Sequence, residues 1–277
     1  MTLRIMGQAH AAMNALQKKL DTIGHNLANS NTHGYKSRHV EFQSLLKQQI
    51  NNLNDPNNAV GRRTPDGIRV GTGSKVGSTN SDLSIGSMQV TDRSLDTMLL
   101  HENHFYQIHV QRDGIDEVRY TRSGAFYVTP LADGQTVQLV TSEGYPVYGE
   151  NGPIQFNANF DVLHIDERGQ VIATYGNAEI NVGTLAIVEI TRPRLLQAVG
   201  ENAFRLPNLD LLGYQFDEIV RAPIGNEPLV QNKVLEMSNV SIQDEMTEMI
   251  IAQRAYQLNA RSITTADQMQ GLVNQLR

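Results

Sequence analysis

Apolar residues recur with two different periods along the chain. Near the start, Met6, Ala9, Met13, Leu16, Leu20, Ile23 and Leu27 are separated alternately by three and four residues. That is the a/d seam of a heptad repeat on one helical face. Polar residues lie between, among them Gln17, Lys18, Lys19 and Asp21. The spacing predicts a helix from about residue 4 to 28. Its stop is Asn29-Ser30-Asn31-Thr32-His33-Gly34, where Asn and Ser favour turns and Gly34 can take a positive φ.

The other end repeats the pattern through Ile242, Met246, Met249, Gln253, Tyr256, Ala260 and Ile263, and Met269, Val273 and Leu276 resume it after a shift of register. Ser241 ahead of Asp244 and Glu245 reads as a capping hydroxyl followed by acidic residues in a first turn, so a long helix is expected from there to the last residues.

Between the ends the period drops to two. The segments Phe105–Val110, Val118–Val128, Thr136–Thr141, Val162–Ile165, Val171–Tyr175 and Val182–Ile190 are separated by Asp113-Gly114, Asp133-Gly134, Glu167-Arg168-Gly169 and Gly176-Asn177. Short strands with such turns predict an antiparallel sandwich or barrel. Residues 51–82, rich in Asn, Gly and Pro, read as extended or loop chain. No internal repeat of fixed period is present.

A lone amphipathic helix does not offset the entropy of its own ordering by burying one seam. Each terminal helix therefore needs a partner, and the nearest candidate is the other one. Ile5, Ala12 and Ile250 lie beside the seam and stay uncovered in a single pair, and Met98 reads as another exposed apolar residue. Further copies of the molecule would cover such flanks. The expectation is that the termini are disordered or loosely helical in the monomer and order on assembly.

Charge and composition narrow the chemistry. The chain has 277 residues, 23 Lys+Arg against 29 Asp+Glu, net −6, and no cysteine. It lacks the basic block of a nucleic-acid binder, and no apolar run approaches the roughly 20 residues that span a bilayer. The N-terminus has neither the apolar run nor the cleavage site of a secretory signal. Zero cysteines exclude disulfides, thiolate metal sites and a cysteine nucleophile. Charged residues make up only 19%, leaving a polar but weakly charged surface.

The segments flanking the helices carry a family resemblance. Asn26-Leu27-Ala28-Asn29-Ser30-Asn31-Thr32-His33-Gly34-Tyr35-Lys36 resembles the N-terminal signature of bacterial flagellar rod, hook and hook-associated axial proteins. Ser238-Asn239-Val240, Glu245-Met246, Met249-Ile250, Gln253-Arg254-Ala255-Tyr256 and Asn259 to Ala266 resemble the C-terminal one. Gly71-Thr72-Gly73, Gly86 to Thr91, Leu95-Asp96, Tyr120 to Phe126, Glu143 to Val147 and Gly200-Glu201-Asn202 are similar to rod proteins as well. The linker is more like the distal rod protein, and Tyr148 to Ile154 is also similar to a proximal one. One departure stands out: His101-Glu102-Asn103-His104 replaces the family's Gly-x-Gly turn, putting the local backbone in doubt.

The resemblance implies an axial structural protein, exported through the flagellar type III apparatus without a cleaved signal and polymerised into a helical tube. Its partners are copies of itself, other rod and hook proteins and the export apparatus. The assembly residues it implies are Met6, Met13, Leu16, Leu20, Ile23, Asn26, Leu27, Asn29, Asn31, Gly34 and Tyr35, with Ser238, Asn239, Val240, Met246, Met249, Ile250, Arg254, Tyr256, Asn259 and Ile263.

Chemical motifs are weak beside this. His101, His104 and His109 lack the spacing of a metalloprotease helix and read as an exposed turn rather than a metal site. Gly71-Thr-Gly-Ser-Lys75 lacks the ending of a phosphate loop. No Gly-x-Ser-x-Gly is present. No catalytic residue, metal or cofactor is expected.

The expected fold is α+β, with long terminal helices paired as a coiled coil and a central all-β, antiparallel sandwich or barrel-like domain. Residues 1–28 with 235–277 form the helical region, 29–95 an extended linker with β segments, 96–225 the β-domain and 226–234 a return linker. The expected function is a distal-rod-like subunit, with a proximal rod or hook-like subunit as the alternative. A secreted adhesin built on a closed coiled coil and a hydrolase on the β-domain are the readings from other classes.

Overall fold

The computed structural model describes residues 2–45, 48–50, 68–112, 115–200, 202–223 and 228–275. Part of the expected linker, residues 46–47 and 51–67, lies outside the described residues, as do Asp113-Gly114, Glu201, residues 224–227 and Leu276. The chain forms two compact units, one from residues 1–27, 38–80 and 241–277, the other from 28–37 and 81–240.

The first unit holds both long helices, Thr2–Ala28 and Ile242–Gln275. Turns follow the first helix directly, and Gly34 takes φ +67, as the Asn/Ser/Gly run predicts. Ser241 opens the second: its carbonyl accepts the Glu245 N–H at 3.0 Å and its hydroxyl accepts the Asp244 N–H at 3.4 Å. Asn26 donates to Glu245 at 2.8 Å and Lys19 pairs with Glu248 at 2.8 Å, so the end of one helix meets the beginning of the other. Strand Arg38–Ser44 pairs with Ser74–Ser81, and Gln48–Ile50 with Ile68–Val70. Gly73 packs against Ala11, and Gln8 donates to the Gly71 carbonyl. A strand follows those glycines where a phosphate loop would open a helix.

The seam of the first helix lies on its covered side, since none of Met6, Ala9, Met13, Leu16, Leu20, Ile23 and Leu27 is exposed. In the last helix the covered stripe matches the expected one in part, since Met249, Tyr256, Ala260 and Ile263 are all covered. Its least exposed positions are Glu245, Met249, Ala252, Tyr256, Asn259, Ile263, Ala266 and Gln270, still spaced four and three. Ile242, Met246 and Gln253 of the expected stripe are exposed. The buried positions Glu245, Ala252 and Ala266 are polar or small, and Glu245 is held there by a hydrogen bond from Asn26, a criterion that hydrophobic spacing does not contain.

In the second unit a six-stranded antiparallel sheet runs in the order Gln197–Gly200, Ala203–Arg205, Ile115–Thr121, His104–Arg112, Ile187–Ile190, Val220–Arg221. Around it lie Tyr127–Pro130, Thr136–Val140 and Gln155–Asn157 in one three-stranded sheet, and Val162–Ile165, Gln170–Tyr175 and Ala178–Thr184 in another. Neighbouring side chains on a strand point to opposite faces. Phe105 and Tyr106 are accordingly both fully buried, in different clusters, Phe105 with Tyr120, Ile190 and Phe204, and Tyr106 with Leu99, Phe126 and Leu139. The large sheet is covered on both sides. Pairing is antiparallel throughout these sheets, as expected, and no closed barrel forms among the described residues.

Two expected strands are broken. Val118–Val128 stops at Thr121 and resumes at Tyr127, because Gly124 crosses so close to the Thr97 carbonyl that a Cβ would sit 1.9 Å from its oxygen, and Arg122 turns inward. Val182–Ile190 is interrupted after Thr184 and resumes at Ile187. Met98, expected on the surface, is only 2% exposed, since Thr97–Leu99 pairs with Val230–Asn232 in the interior. Replacing Gly124 by Ala therefore has to move backbone, and urea unfolding of G124A should show a loss of at least about 2 kcal/mol; an unchanged midpoint would contradict the close crossing.

Candidate functional site

The second unit encloses a buried charge cluster. Glu236 lies on strand Val234–Glu236, which pairs with Met88–Val90. It accepts Lys36 Nζ at 2.6 Å on Oε1 and Arg122 Nε at 3.0 Å on Oε2, and Arg122 Nη2 lies 3.0 Å from the same oxygen as an ion-pair contact. All three side chains are buried, at 1% exposure or less. The Gly86 N–H adds a further donor to Oε1 at 3.0 Å.

Two cations thus share one carboxylate, leaving one positive charge in excess. Backbone carbonyls hold that excess. Arg122 Nη1 donates to the carbonyls of His101, Glu102 and His104 at 2.8, 2.6 and 3.0 Å, and Lys36 Nζ to that of Ser84. Burial, with Arg122 as a second cause, still holds the Lys36 ammonium below its ordinary pKa, against the pull of Glu236. The His101–His104 turn closes without a positive φ, Asn103 included. Arg122 gathering three of its carbonyls is what stands in place of glycine geometry.

Around the cluster the two signature segments meet. The Gly34 N–H donates to the Glu236 carbonyl at 2.7 Å, and a Cβ on Gly34 would sit 2.7 Å from the Arg122 backbone. Asn239 accepts the Ser37 N–H at 2.7 Å and donates to the carbonyls of Asp82 and Ser84 and to the Ser84 hydroxyl. In the first unit Asn26 does a similar job: it accepts the Arg38 N–H at 3.0 Å, donates to the Arg38 carbonyl at 2.9 Å and reaches Glu245.

The implied assembly residues therefore fall into two groups. Asn26, Gly34, Tyr35, Ile23 and Ser238 are buried within the chain, and Asn239 is half-buried and committed to internal hydrogen bonds. Met246, Ile250, Arg254 and Asn31 are exposed, whereas Met6, Met13, Leu16, Leu20, Leu27, Asn29, Val240, Met249, Tyr256, Asn259 and Ile263 are half-covered. Arg122 and Glu245 lie in segments that resemble the family, with no sign in the sequence of their buried partners, and Glu236 stands out only as a lone charge among Val234, Leu235 and Met237.

The histidines separate. The His101 and His104 rings meet edge-on with centroids 4.7 Å apart, whereas His109 faces Asp116 at 3.4 Å and the Tyr148 ring. Elsewhere Tyr106 shares a 2.8 Å hydrogen bond with Thr97, and burial raises its pKa; burial pushes Tyr120 up to about 12. Among the described residues no three His, Asp or Glu side chains are grouped to hold a metal, and no helix is long and apolar enough to cross a membrane.

Comparison with known proteins assigns these segments. Residues 8–36 match the flagella basal body rod protein model, 100–173 the flagellar hook protein FlgE/F/G D1 domain and 231–276 the flagellar basal body rod FlgEFG protein C-terminal model. The chain is 40% identical over 279 residues to the flagellar hook-basal body complex protein FlhP of Bacillus subtilis, covering 99% of this chain and 100% of that one. The chain belongs to the flagellar basal-body rod and hook protein family. It is also 35% identical to the rod protein FlgG of Borreliella burgdorferi (99% of each chain) and 32% identical to FlgG of Bacillus subtilis (98% of each). It is a structural rod subunit, and the distal position fits the relatives named FlgG.

The matched rod segment at 8–36 and the C-terminal segment from 231 contain Lys36 and Glu236, so the ion cluster ties the family's two signatures together. Glu236→Gln leaves two buried cations without a counter-charge and should cost about 3–5 kcal/mol in chemical unfolding. A change below about 1 kcal/mol would show that the carbonyls alone satisfy Lys36 and Arg122.

Proposed function

We propose that this subunit polymerises through its terminal helices into a helical tube at the distal rod of the flagellar basal body, transmitting torque and conducting exported subunits. The reading rests on full-length likeness to rod proteins and on one observation in particular. Ile242, Met246, Ile250, Leu258 and Leu272 of the last helix stay exposed, so a long helix keeps apolar flanks that nothing among the described residues covers. Contacts that repeat between copies without closing generate a filament. The helices Thr2–Ala28 and Ile242–Gln275 then form the region joining other copies and neighbouring rod and hook proteins, and the β-rich second unit stays outside that contact. Within that region Met6, Met13, Leu16, Leu20, Met246, Met249, Ile250, Arg254, Tyr256 and Ile263 are the packing contacts. The two helices pair as a coiled coil, the β-strands form a sandwich-like layer, and the subunit leaves the cell interior through the flagellar export apparatus without a cleaved signal.

A second reading has its own support. Identity to FlhP of Bacillus subtilis, 40%, exceeds identity to FlgG of the same organism, 32%. A rod position other than that of FlgG, proximal or hook-like, follows from it. Expressing this chain in Bacillus subtilis strains lacking either protein separates the readings: swimming restored only in the strain lacking FlgG supports the distal position, and restoration only in the other supports the second.

Met246→Asp with Ile250→Asp should abolish assembled rods under electron microscopy while shifting the melting temperature of the soluble subunit by no more than a few degrees. Rods of normal length from the double variant would refute the helix-face role. In the soluble subunit, amides of residues 4–28 should exchange freely and become protected on assembly; strong protection before assembly would show that the helix orders without neighbours.

A further inference from the structure

The His101–His104 turn is held from inside by a cation. Arg122 Nη1 binds three of its carbonyls, and Arg122 in turn is shared with Glu236 and, through it, Lys36. Into the same turn folds the His104 ring, 7% exposed, with its Nδ1 enclosed and lacking a hydrogen-bond partner. The charged and titratable groups that face this ring are His101 from its own turn, Arg122 from the chain after strand Ile115–Thr121, and Glu189, its register partner on strand Ile187–Ile190.

That setting favours a neutral imidazole. Burial removes water from the ring, His101 and Arg122 oppose a further positive charge, and only Glu189 favours one, so the His104 pKa lies below its ordinary value. A protonated ring would be a third cation beside a cluster that already has two cations for one carboxylate.

We propose that the His101–His104 turn is an acid-sensitive latch: proton uptake by His104 displaces Arg122 from the turn's carbonyls and slackens the cluster that joins Gly34–Ser37 to Glu236–Asn239. The sign follows from linkage. In the unfolded chain His104 takes its proton near pH 6.5, whereas the folded chain resists until the pH is lower, so stability present above about pH 6.5 is lost as the pH falls below it.

The test uses the full chain. Thermal unfolding at about pH 7.5 and about pH 5.5 should show a fall in melting temperature that His104→Gln reduces by at least half, whereas His109→Gln, on the same strand but paired with Asp116, keeps the whole fall. Amides of residues 101–104, corrected for intrinsic rates, should exchange about tenfold faster at the lower pH. An equal fall in wild type and H104Q overturns the latch. Should H104Q fail to fold, the natural chain still decides: proton NMR should show the His104 ring titrating clearly below about pH 6.5, and an ordinary midpoint there refutes the proposal.

Discussion

Two cations sharing one carboxylate in a water-free interior constrain everything around them. Lys36, Arg122 and Glu236 come from three distant stretches of the chain, and none is stable in that place without the others, since an unpaired buried charge costs several kcal/mol. The excess positive charge recruits the carbonyls of residues 84, 101, 102 and 104. Those carbonyls fix the turn before strand His104–Arg112. The same cluster sets Gly34 against the Arg122 backbone, where a side chain has no room. A buried ion triad is weak evidence for stability as such; its value here is that it accepts only one arrangement of the segments it joins.

On the proposed assembly this arrangement has a use. The residues that resemble the family signatures divide between fastening the chain internally, as Asn26, Gly34 and Asn239 do, and lying on faces open to neighbours, as Met246 and Ile250 do. A low charged fraction suits surfaces that neighbours will cover, because each buried charge needs a partner. Absence of cysteine removes a source of unwanted cross-links in a chain that is exported unfolded on the proposed route.

How much could be read beforehand differs from element to element. The first helix and its stop at Asn29–Gly34 were legible, because seven positions keep one period and the turn residues follow at once. The start of the last helix was legible from Ser241 and Glu245, and the side it covers in part: Met249, Tyr256, Ala260 and Ile263 are covered as expected, while Ile242, Met246 and Gln253 are exposed and Glu245, Ala252 and Ala266 are the buried positions. Strand breaks at Arg122–Gly124 were hidden as well, since alternation through Val118–Val128 continues across a point where the backbone must leave the sheet to pass Thr97.

What the sequence determined by itself is local: periods of 3.5 and 2, turn chemistry, a weakly charged surface without thiols, and two signatures specific enough to name a family. These are short-range properties, and any stretch of a dozen residues displays them. The tertiary structure alone decided which charges share an interior. Lys36 and Glu236 are 200 residues apart, and Arg122 and Glu236 are 114 apart. Nothing local distinguishes a buried lysine from a solvated one; only the packing that removes water around it makes Glu236 its necessary partner.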